Sequence, residues 1–289
     1  KHGTVTVTVH GSPVEITTFR SDGEYLDHRR PDSVRFIADL RGDLERRDFT
    51  VNALALPLSG EICDLFGGRE DIDKKLIRCV GNPEKRFDED ALRMLRAFRF
   101  SAVLGFEIEP VTLAAIRNKA PLSRGLAKER VRTELEKILL SSSPQVFSTV
   151  LEYGLLSELV DEGSFLPDLS ILEKLPRNRA LRWAGLCALL LTNGVIADTE
   201  AFLTALRLDS ALIRACSTGC SLVSENAPKD VLSWKKLLSQ NGIEVAKCAA
   251  AACDVLYGTG HLKLLYKLLR SGECYSFKQL AVTGDDLLE

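Results

Sequence analysis

Two kinds of hydrophobic periodicity divide this chain of 289 residues, and the change from one to the other constrains its fold more than any other feature. Apolar and polar side chains alternate along Thr4–Val9 and Val14–Phe19, with a Gly-Ser-Pro turn between them, which predicts an antiparallel hairpin. Thr50–Leu56 and Glu61–Asp64 are the other strand candidates. From about Asp71 onward the apolar spacing is helical nearly throughout. The pattern predicts an α+β fold, a small head with strands followed by a long all-α portion.

The first helices carry recognisable start and stop signals. Asp88 is a suitable N-cap for a helix over Glu89–Val103, and Gly105 is a suitable stop. Pro110 can occupy the first position of the next helix, and Leu126–Leu140 predicts another. Because a lone hairpin is marginally stable, we expect the N-terminal strands to belong to a larger sheet.

Composition excludes several classes of protein. The hydrophobic content of 45% and charged content of 27% are ordinary for a globular protein. No apolar run approaches the roughly 18 residues of a membrane span, and no signal peptide opens the chain, so we expect no membrane partner. The eight cysteines are scattered, with no C-x-x-C pair. This spacing favours reduced, mostly buried cysteines in a cytoplasmic protein over a zinc site.

The helix after Asp88 carries an unusual row of charges. A helical wheel places Asp90, Arg93, Arg96 and Arg99 on one side. The opposite side is apolar and predicts a buried face; it consists of Ala91, Leu95, Phe98 and Ala102. One interpretation is a surface helix with an Asp90–Arg93 salt bridge. The other is a triphosphate site, because a polyanion would relieve the repulsion between three arginines.

A carboxylate beside a guanidinium, as at Asp90 and Arg93, also has a use in base recognition. Cytosine and adenine both present an exocyclic amine donor beside a ring-nitrogen acceptor, whereas guanine and uracil present the reverse order. The pair therefore fits C and A and rejects G and U, by the same donor–acceptor logic as groove readout.

Six short stretches stand out in the first 140 residues, namely Lys1–Val5, Glu15–Arg20, Arg46–Ala53, Asp64–Gly68, Glu89–Arg93 and Glu129–Val131. In this order and spacing they resemble the class II tRNA nucleotidyltransferases, which comprise the bacterial CCA-adding enzymes and their poly(A) polymerase relatives. The resemblance covers residues 1 to about 140, and the remaining helices fit the family's body and tail.

The resemblance implies an elongated molecule with three parts. These are the C-terminal part of a polymerase-β-like nucleotidyltransferase head (1–62), a helical neck that binds nucleotide and RNA (63–145), and an all-α body and tail that bind tRNA (146–289). It implies addition of C, C and A to tRNA 3′ ends from CTP and ATP without a nucleic-acid template. Two alternatives stay open: a poly(A) polymerase, and a catalytically inactive fragment that binds nucleotide or tRNA. The sequence does not indicate an oligomeric state.

The resemblance also assigns roles to residues. Asp90 and Arg93 match the family's readers of the incoming base, and Arg47, Arg96 and Arg99 match nucleotide-binding arginines. Asp48 matches a residue of the catalytic site that, with Asn52, positions the sugar or orients Arg47. The head loop Arg20–Pro31 resembles the loop associated with adding the terminal A.

Glu15 lies in a Val-Glu-Ile setting in the middle of a predicted strand. It is either an outward-facing residue or, as the resemblance implies, a catalytic carboxylate that helps to hold two Mg²⁺ ions. The family's Gly-Gly-x-Val-Arg-Asp and Asp-x-Asp motifs, which carry the principal metal ligands, are absent from the sequence. We therefore expect a chain truncated at both ends that is inactive without the missing strands.

The predicted helix Leu126–Leu140 is rich in basic residues, and Lys128, Arg130 and Arg132 are candidates for RNA binding. A protein that accepts every tRNA should contact phosphates and A-form shape rather than sequence. The alternative is an amphipathic core helix with charged decoration. Trp183 and Trp234 are expected in the core.

Overall fold

The computed structural model describes residues 4–22, 34–36, 38–161, 163, 165–228, 230–258, 260–276 and 279. The chain divides into two compact units, residues 1–130 with 153–155 and residues 131–152 with 156–289. Most of the head loop assigned by resemblance, and the first three and last ten residues, lie outside the described residues.

The strands found among the described residues all belong to the first unit and form two-stranded sheets. They are β1 (Thr4–Val9), β2 (Ser12–Thr17), β3 (Arg20–Asp22), β4 (Val34–Phe36), β5 (Leu54–Ala55), β6 (Cys63–Asp64), β7 (Leu76–Ile77) and β8 (Glu107–Ile108). The predicted hairpin is confirmed: β1 and β2 are antiparallel, with Thr6 opposite Glu15. Within the described residues this hairpin pairs with no further strand. β7 and β8 are parallel.

The helices make up most of the chain, as predicted. They are α1 (Leu40–Glu45), α2 (Gly68–Asp73), α3 (Pro83–Glu89), α4 (Leu92–Leu104), α5 (Pro110–Lys119), α6 (Lys128–Leu139), α7 (Val146–Glu152), α8 (Arg179–Thr192), α9 (Thr199–Ala205), α10 (Ser210–Asn226), α11 (Val231–Tyr257) and α12 (His261–Arg270). None of the helices in the described ranges is long and apolar enough to cross a membrane.

The prediction that a helix starts after Asp88 is wrong. Asn82 caps α3 by accepting from the backbone N–H of Lys85, and Pro83 takes the first helical position. Asp88 lies inside α3, where it pairs with Lys119 at 2.8 Å. The chain leaves the helical conformation at Asp90 (φ −144°, ψ 102°) before α4 begins.

The predicted strand Thr50–Leu56 is also mostly wrong. Thr50–Asn52 forms a 3₁₀ turn, and only Leu54–Ala55 pairs as a strand. The hydroxyl of Thr50 donates to the buried carboxylate of Asp71 at 2.5 Å, and its backbone N–H donates to the carbonyl of Arg78. These bonds hold the chain in a turn in spite of the strand preference of its side chains.

The core of the first unit lies where α4 packs its apolar side. Ala91, Leu95, Phe98 and Ala102 are all buried, which confirms the predicted apolar face. Phe49 packs edge-to-face on Phe100. Burial of this face fixes which side of α4 remains available for the site.

The second unit is a helical bundle around two buried tryptophans. Trp183 and Trp234 are 1% and 0% exposed, as predicted for core residues. Gly219 lets α10 approach α11, because a Cβ there would lie 2.9 Å from the Cβ of Cys248. α11 is interrupted at Gly242, whose φ of 81° places a kink between two helical segments.

Candidate nucleotide-binding site

A cavity of about 790 Å³ in the first unit gathers most of the predicted site residues. Six arginines and four carboxylates line it, which leaves an excess of positive charge suited to a polyanion. The lining residues are Thr4, Glu15, Thr17, Phe19, Arg20, Asp43, Arg46, Arg47, Asp48, Asn52, Asp90, Arg93, Arg96, Phe100 and Arg130.

The polar face of the β1–β2 hairpin forms one side of the cavity. Alternation places Thr4, Thr17 and Glu15 on the same face, and all three line the cavity. Glu15 is exposed and makes no ion pair within the described part of the chain. Its carboxylate is therefore accessible to a ligand, which is compatible with both readings of Glu15 made from the sequence.

Asp43 anchors two arginines at the end of α1. Its carboxylate accepts from the Nη2 atom of Arg46 at 2.6 Å and from that of Arg47 at 3.3 Å. Desolvation by burial acts to raise the pKa of Asp43, but the Arg46 guanidinium and the backbone N–H of Arg20 outweigh it and hold that pKa below its usual value. The side chain of Arg47 stays 44% exposed, so it can still contact a ligand.

Asp48 holds Arg96 in place. The buried carboxylate of Asp48 lies 2.5 Å from Nη2 and 2.7 Å from Nε of Arg96. Its other oxygen accepts from the side-chain amide of Asn52 at 3.1 Å. Of the two roles expected for Asp48, orienting Arg47 does not match the contacts, because Asp48 pairs with Arg96 and Asp43 pairs with Arg47. Positioning the sugar stays a prediction.

Asp90 lies at the break between α3 and α4. One carboxylate oxygen accepts from the backbone N–H of Leu92 at 3.1 Å, and the other lies 2.8 Å from Nη2 of Arg130. The surface salt bridge considered for Asp90 and Arg93 is therefore replaced by an Asp90–Arg130 pair. Since Asp90 is extended, its side chain projects from the break rather than from a helix face.

Arg93 is buried at the edge of the cavity and is fixed mainly by the backbone. Its Nη1 donates to the carbonyl of Arg86 at 3.0 Å and pairs with Glu89 at 2.6 Å. Its Nη2 donates to the carbonyl of Arg46 at 2.8 Å. A guanidinium has five N–H donors, so these three bonds leave two for a ligand.

Arg99 is placed differently from the other predicted arginines. It is not among the described residues that line the cavity, and its guanidinium lies 3.6 Å from the ring centroid of Phe100, which does line it. Arg96 lies 5.6 Å from the same ring. Arg93 and Arg96 thus line the cavity, whereas Arg99 stacks on the ring of Phe100.

The basic residues of α6 do not form one wall. Arg130 faces the cavity, whereas Lys128 and Arg132 lie on the other side of the helix by their spacing. Desolvation by burial lowers the pKa of Lys128. Arg132 donates to the backbone carbonyl of Arg207.

The described residues contain no group of three or more His, Cys, Asp or Glu side chains able to hold a metal ion. Three of the four cavity carboxylates, Asp43, Asp48 and Asp90, are already paired with arginines. Glu15 alone does not make a metal centre, so a bound ion would need further ligands.

Sequence reasoning missed several residues that shape the site. Asp43 precedes Arg46 and Arg47 by three and four positions, a helical spacing that signals ion pairs. Asn82-Pro83 is a helix-start signal that would have moved the helix boundary. Phe100 gives no signal of its own, because its place in the cavity depends on tertiary packing.

This fold and this arginine-lined cavity are those of a nucleotidyltransferase. The family model described as the Poly A polymerase head domain matches residues 1–78, and the one described as the probable RNA and SrmB-binding site of polymerase A matches residues 105–166. The CCA-adding enzyme of Limosilactobacillus fermentum is 37% identical over 295 residues, covering 100% of this chain and 72% of that protein. The chain belongs to the CCA-adding enzymes, a family of tRNA nucleotidyltransferases.

Other relatives agree. The CCA-adding enzyme of Limosilactobacillus reuteri is 55% identical over 144 residues, which span 50% of this chain and 36% of that enzyme. The crystal structure of the Bacillus stearothermophilus CCA-adding enzyme in complex with CTP matches with a TM-score of 0.79 at 31% identity, over 100% of this chain and 71% of that one. A Thermotoga maritima CCA-adding enzyme, complexed with tRNA, matches at 22% identity with a TM-score of 0.62 and supports the fold alone.

Proposed function

We propose that the protein adds C, C and A to the 3′ end of tRNA from CTP and ATP, in the cytoplasm and without a nucleic-acid template. The observation that carries the proposal is that Asp90 and Arg93 both line the cavity. Asp90 offers carboxylate oxygens and Arg93 offers two remaining N–H donors. Together they complement the amine donor and ring-nitrogen acceptor that C and A share.

The remaining arginines of the cavity suit the triphosphate. Arg47 is the most exposed of those paired with Asp43, and Arg96 is held by Asp48 with a third of its side chain exposed. Guanidinium groups match phosphate oxygens in bidentate fashion. We propose Arg47 and Arg96 as the direct triphosphate contacts, with Arg99 contributing to the charge from behind Phe100.

A divalent metal ion is typical of nucleotidyltransferase families. We propose Mg²⁺ as that ion and Glu15 as the one described cavity residue able to contribute a ligand to it. The other three cavity carboxylates are paired with arginines, so Glu15 is the one metal ligand that we propose among the described cavity residues.

The base-reading proposal is tested by nucleotide binding, which does not depend on transfer. Isothermal titration of the full chain should show tighter binding of CTP and ATP than of GTP and UTP, by roughly tenfold or more. Asp90→Ala and Arg93→Ala should remove the preference. Lys85→Ala, at an exposed lysine of α3, is the matched control. Equal binding of all four nucleotides by the wild-type chain would contradict the proposal.

Transfer itself is tested with tRNA that lacks its 3′ end and labelled CTP and ATP. The proposed reaction stops after the terminal A, whereas a poly(A) polymerase continues to add A. Nucleotide binding without incorporation would favour the third possibility, a chain that only binds.

We propose that the second unit contacts the tRNA backbone through one face of α12. Lys263, Lys267 and Arg270 share that face with Tyr266, and together with Lys174 they line a cavity of about 800 Å³. These four cations make no ion pair within the described part of the chain. Unneutralised cations beside an aromatic ring suit RNA phosphates and ribose.

Salt dependence tests this contact. Lys263→Gln with Lys267→Gln should lower the slope of log affinity for tRNA against log salt by about 2, because each phosphate contact contributes roughly one unit. Lys236→Gln, at an exposed lysine of α11, is the control. An unchanged slope in the double variant would show that RNA does not bind this face.

A further inference from the structure

Arg86 is a buried arginine beside the cavity to which the base-reading proposal gives no role. It lies in α3, its residue is 9% exposed, and it is not among the described residues that line the cavity. A buried guanidinium is costly to desolvate, so its partners indicate what it does.

Arg86 contacts the supports of Arg93 from two directions. Its Nη2 lies 2.8 Å from Oε1 of Glu89, whose other carboxylate oxygen lies 2.6 Å from Nη1 of Arg93. Its own backbone carbonyl accepts from the same Nη1 at 3.0 Å. Glu89 therefore bridges two buried guanidinium groups.

Arg86 also ties this bridge to the end of α1. Its Nη1 donates to the carbonyl of Glu45 at 3.0 Å, and the carbonyl of the next residue, Arg46, accepts from Arg93 at 2.8 Å. The backbone carbonyls of two successive residues, Glu45 and Arg46, thus hold Arg86 and Arg93 side by side. The orientation of the Arg93 guanidinium depends on Arg86 as well as on Arg93 itself.

We propose that Arg86 is a positioning residue for base selection, acting through Glu89 and the end of α1 to fix the plane in which Arg93 presents its donors. The proposal rests on the proposed role of Asp90 and Arg93. Discrimination between C and U depends on matching each donor to an acceptor. A rotated Arg93 guanidinium therefore loses selectivity for the base while it keeps its positive charge. The triphosphate contacts lie elsewhere in the cavity.

Arg86→Lys tests the proposal, because an ammonium keeps the charge but cannot hold Glu89 and the Glu45 carbonyl with the fixed fork of a guanidinium. We expect the ratio of the dissociation constants for UTP and CTP to fall roughly tenfold. Affinity for tripolyphosphate, which has no base, should stay unchanged. A role confined to folding would weaken both ligands alike.

Two further variants complete the test. Lys85→Met, at the neighbouring exposed position, should leave the ratio unchanged. Glu89→Gln should lower the ratio like Arg86→Lys, and the double variant should add little, because both act through Arg93.

The outcomes separate the two proposals. An unchanged ratio in Arg86→Lys, or an equal loss of CTP and tripolyphosphate, overturns the role of Arg86. A wild-type chain with no preference for CTP over UTP overturns base reading by Asp90 and Arg93, and the role of Arg86 with it.

Discussion

At the residue scale, the carboxylates of the cavity act mainly as anchors for arginines. Asp43 holds Arg46 and Arg47, and Asp48 holds Arg96. A guanidinium held by a buried carboxylate loses little rotamer freedom when a phosphate arrives, which lowers the entropic cost of binding. The positive charge of the site is therefore positioned before the ligand binds.

This arrangement predicts a specific loss of stability in acid. Because the folded-state pKa of Asp43 is below its usual value of 3.8, its contribution to stability is present above that value and is lost as the pH falls through the folded-state pKa. Asp43→Asn should cost about 2 kcal/mol near neutral pH, where the carboxylate is charged. Urea unfolding of both proteins from neutral to acidic pH measures the difference.

The difference in unfolding free energy between wild type and Asp43→Asn should shrink as the solution is acidified below 3.8. Asp73→Asn is the control, since that carboxylate is exposed and makes no hydrogen bond or ion pair within the described part of the chain. A difference for Asp43→Asn that is constant with pH would contradict an ionised Asp43 at the centre of the pair.

At the element scale, the 3₁₀ turn Thr50–Asn52 depends on a close approach by α2. Gly68 begins α2, and a Cβ at this position would overlap the carbonyl oxygen of Thr50. The carboxylate of Asp64 accepts from the backbone N–H of Gly68 and fixes this start. The same turn carries Asn52, which donates to Asp48 in the cavity. The Asp64–Gly68 stretch thus supports the site without contributing to its lining.

Gly68→Ala should therefore affect both stability and binding. Overpacking against a backbone carbonyl costs about 1–3 kcal/mol, and displacement of the turn should weaken CTP binding. Thermal unfolding and isothermal titration measure the two effects. Gly125→Ala is the matched control, because a Cβ there meets nothing within 4 Å. Unchanged unfolding in Gly68→Ala would show that the turn can move at little cost.

The two errors of prediction at this scale have different physical origins. The strand preference of Thr50–Leu56 is a local signal that a distant contact overrules, since Asp71 lies 21 positions from Thr50. The helix start at Asp88 was wrong because Asn82 and Pro83 provide an earlier local start signal. By contrast, the apolar face of α4 and the β1–β2 hairpin were predicted correctly, because periodicity over many residues reports burial directly.

The same distinction holds within the site. Eight of the residues that line the cavity were predicted from the sequence, namely Glu15, Arg47, Asp48, Asn52, Asp90, Arg93, Arg96 and Arg130. It did not predict that Asp90 pairs with Arg130 or that backbone carbonyls hold Arg93. The orientation of a backbone carbonyl is set by tertiary structure and cannot be predicted from the type of residue that carries it.

At the scale of the whole molecule, the nucleotide cavity and the α12 face belong to different units. Hydrogen exchange in the presence of saturating CTP should therefore slow in peptides around Asp48 and Asp90, whereas peptides of α12 should be unchanged. A ligand that binds only the folded state at 100 times its dissociation constant adds about 2.7 kcal/mol, enough to slow opening of the site measurably. Tripolyphosphate is the control for base contacts. Protection confined to α12 would contradict the assignment of the cavity.

The distribution of the thiols has a practical consequence. Six of the eight cysteines are buried, and burial raises the pKa of Cys79 to about 12 and that of Cys220 to about 12. Thiol-reactive dyes need an accessible thiolate. Cys63 in the first unit is half-buried and Cys274 in the second is exposed. A donor and an acceptor fluorophore can thus be attached to the unsubstituted chain, one on each unit, so that the effect of added CTP on energy transfer between the two dyes can be measured.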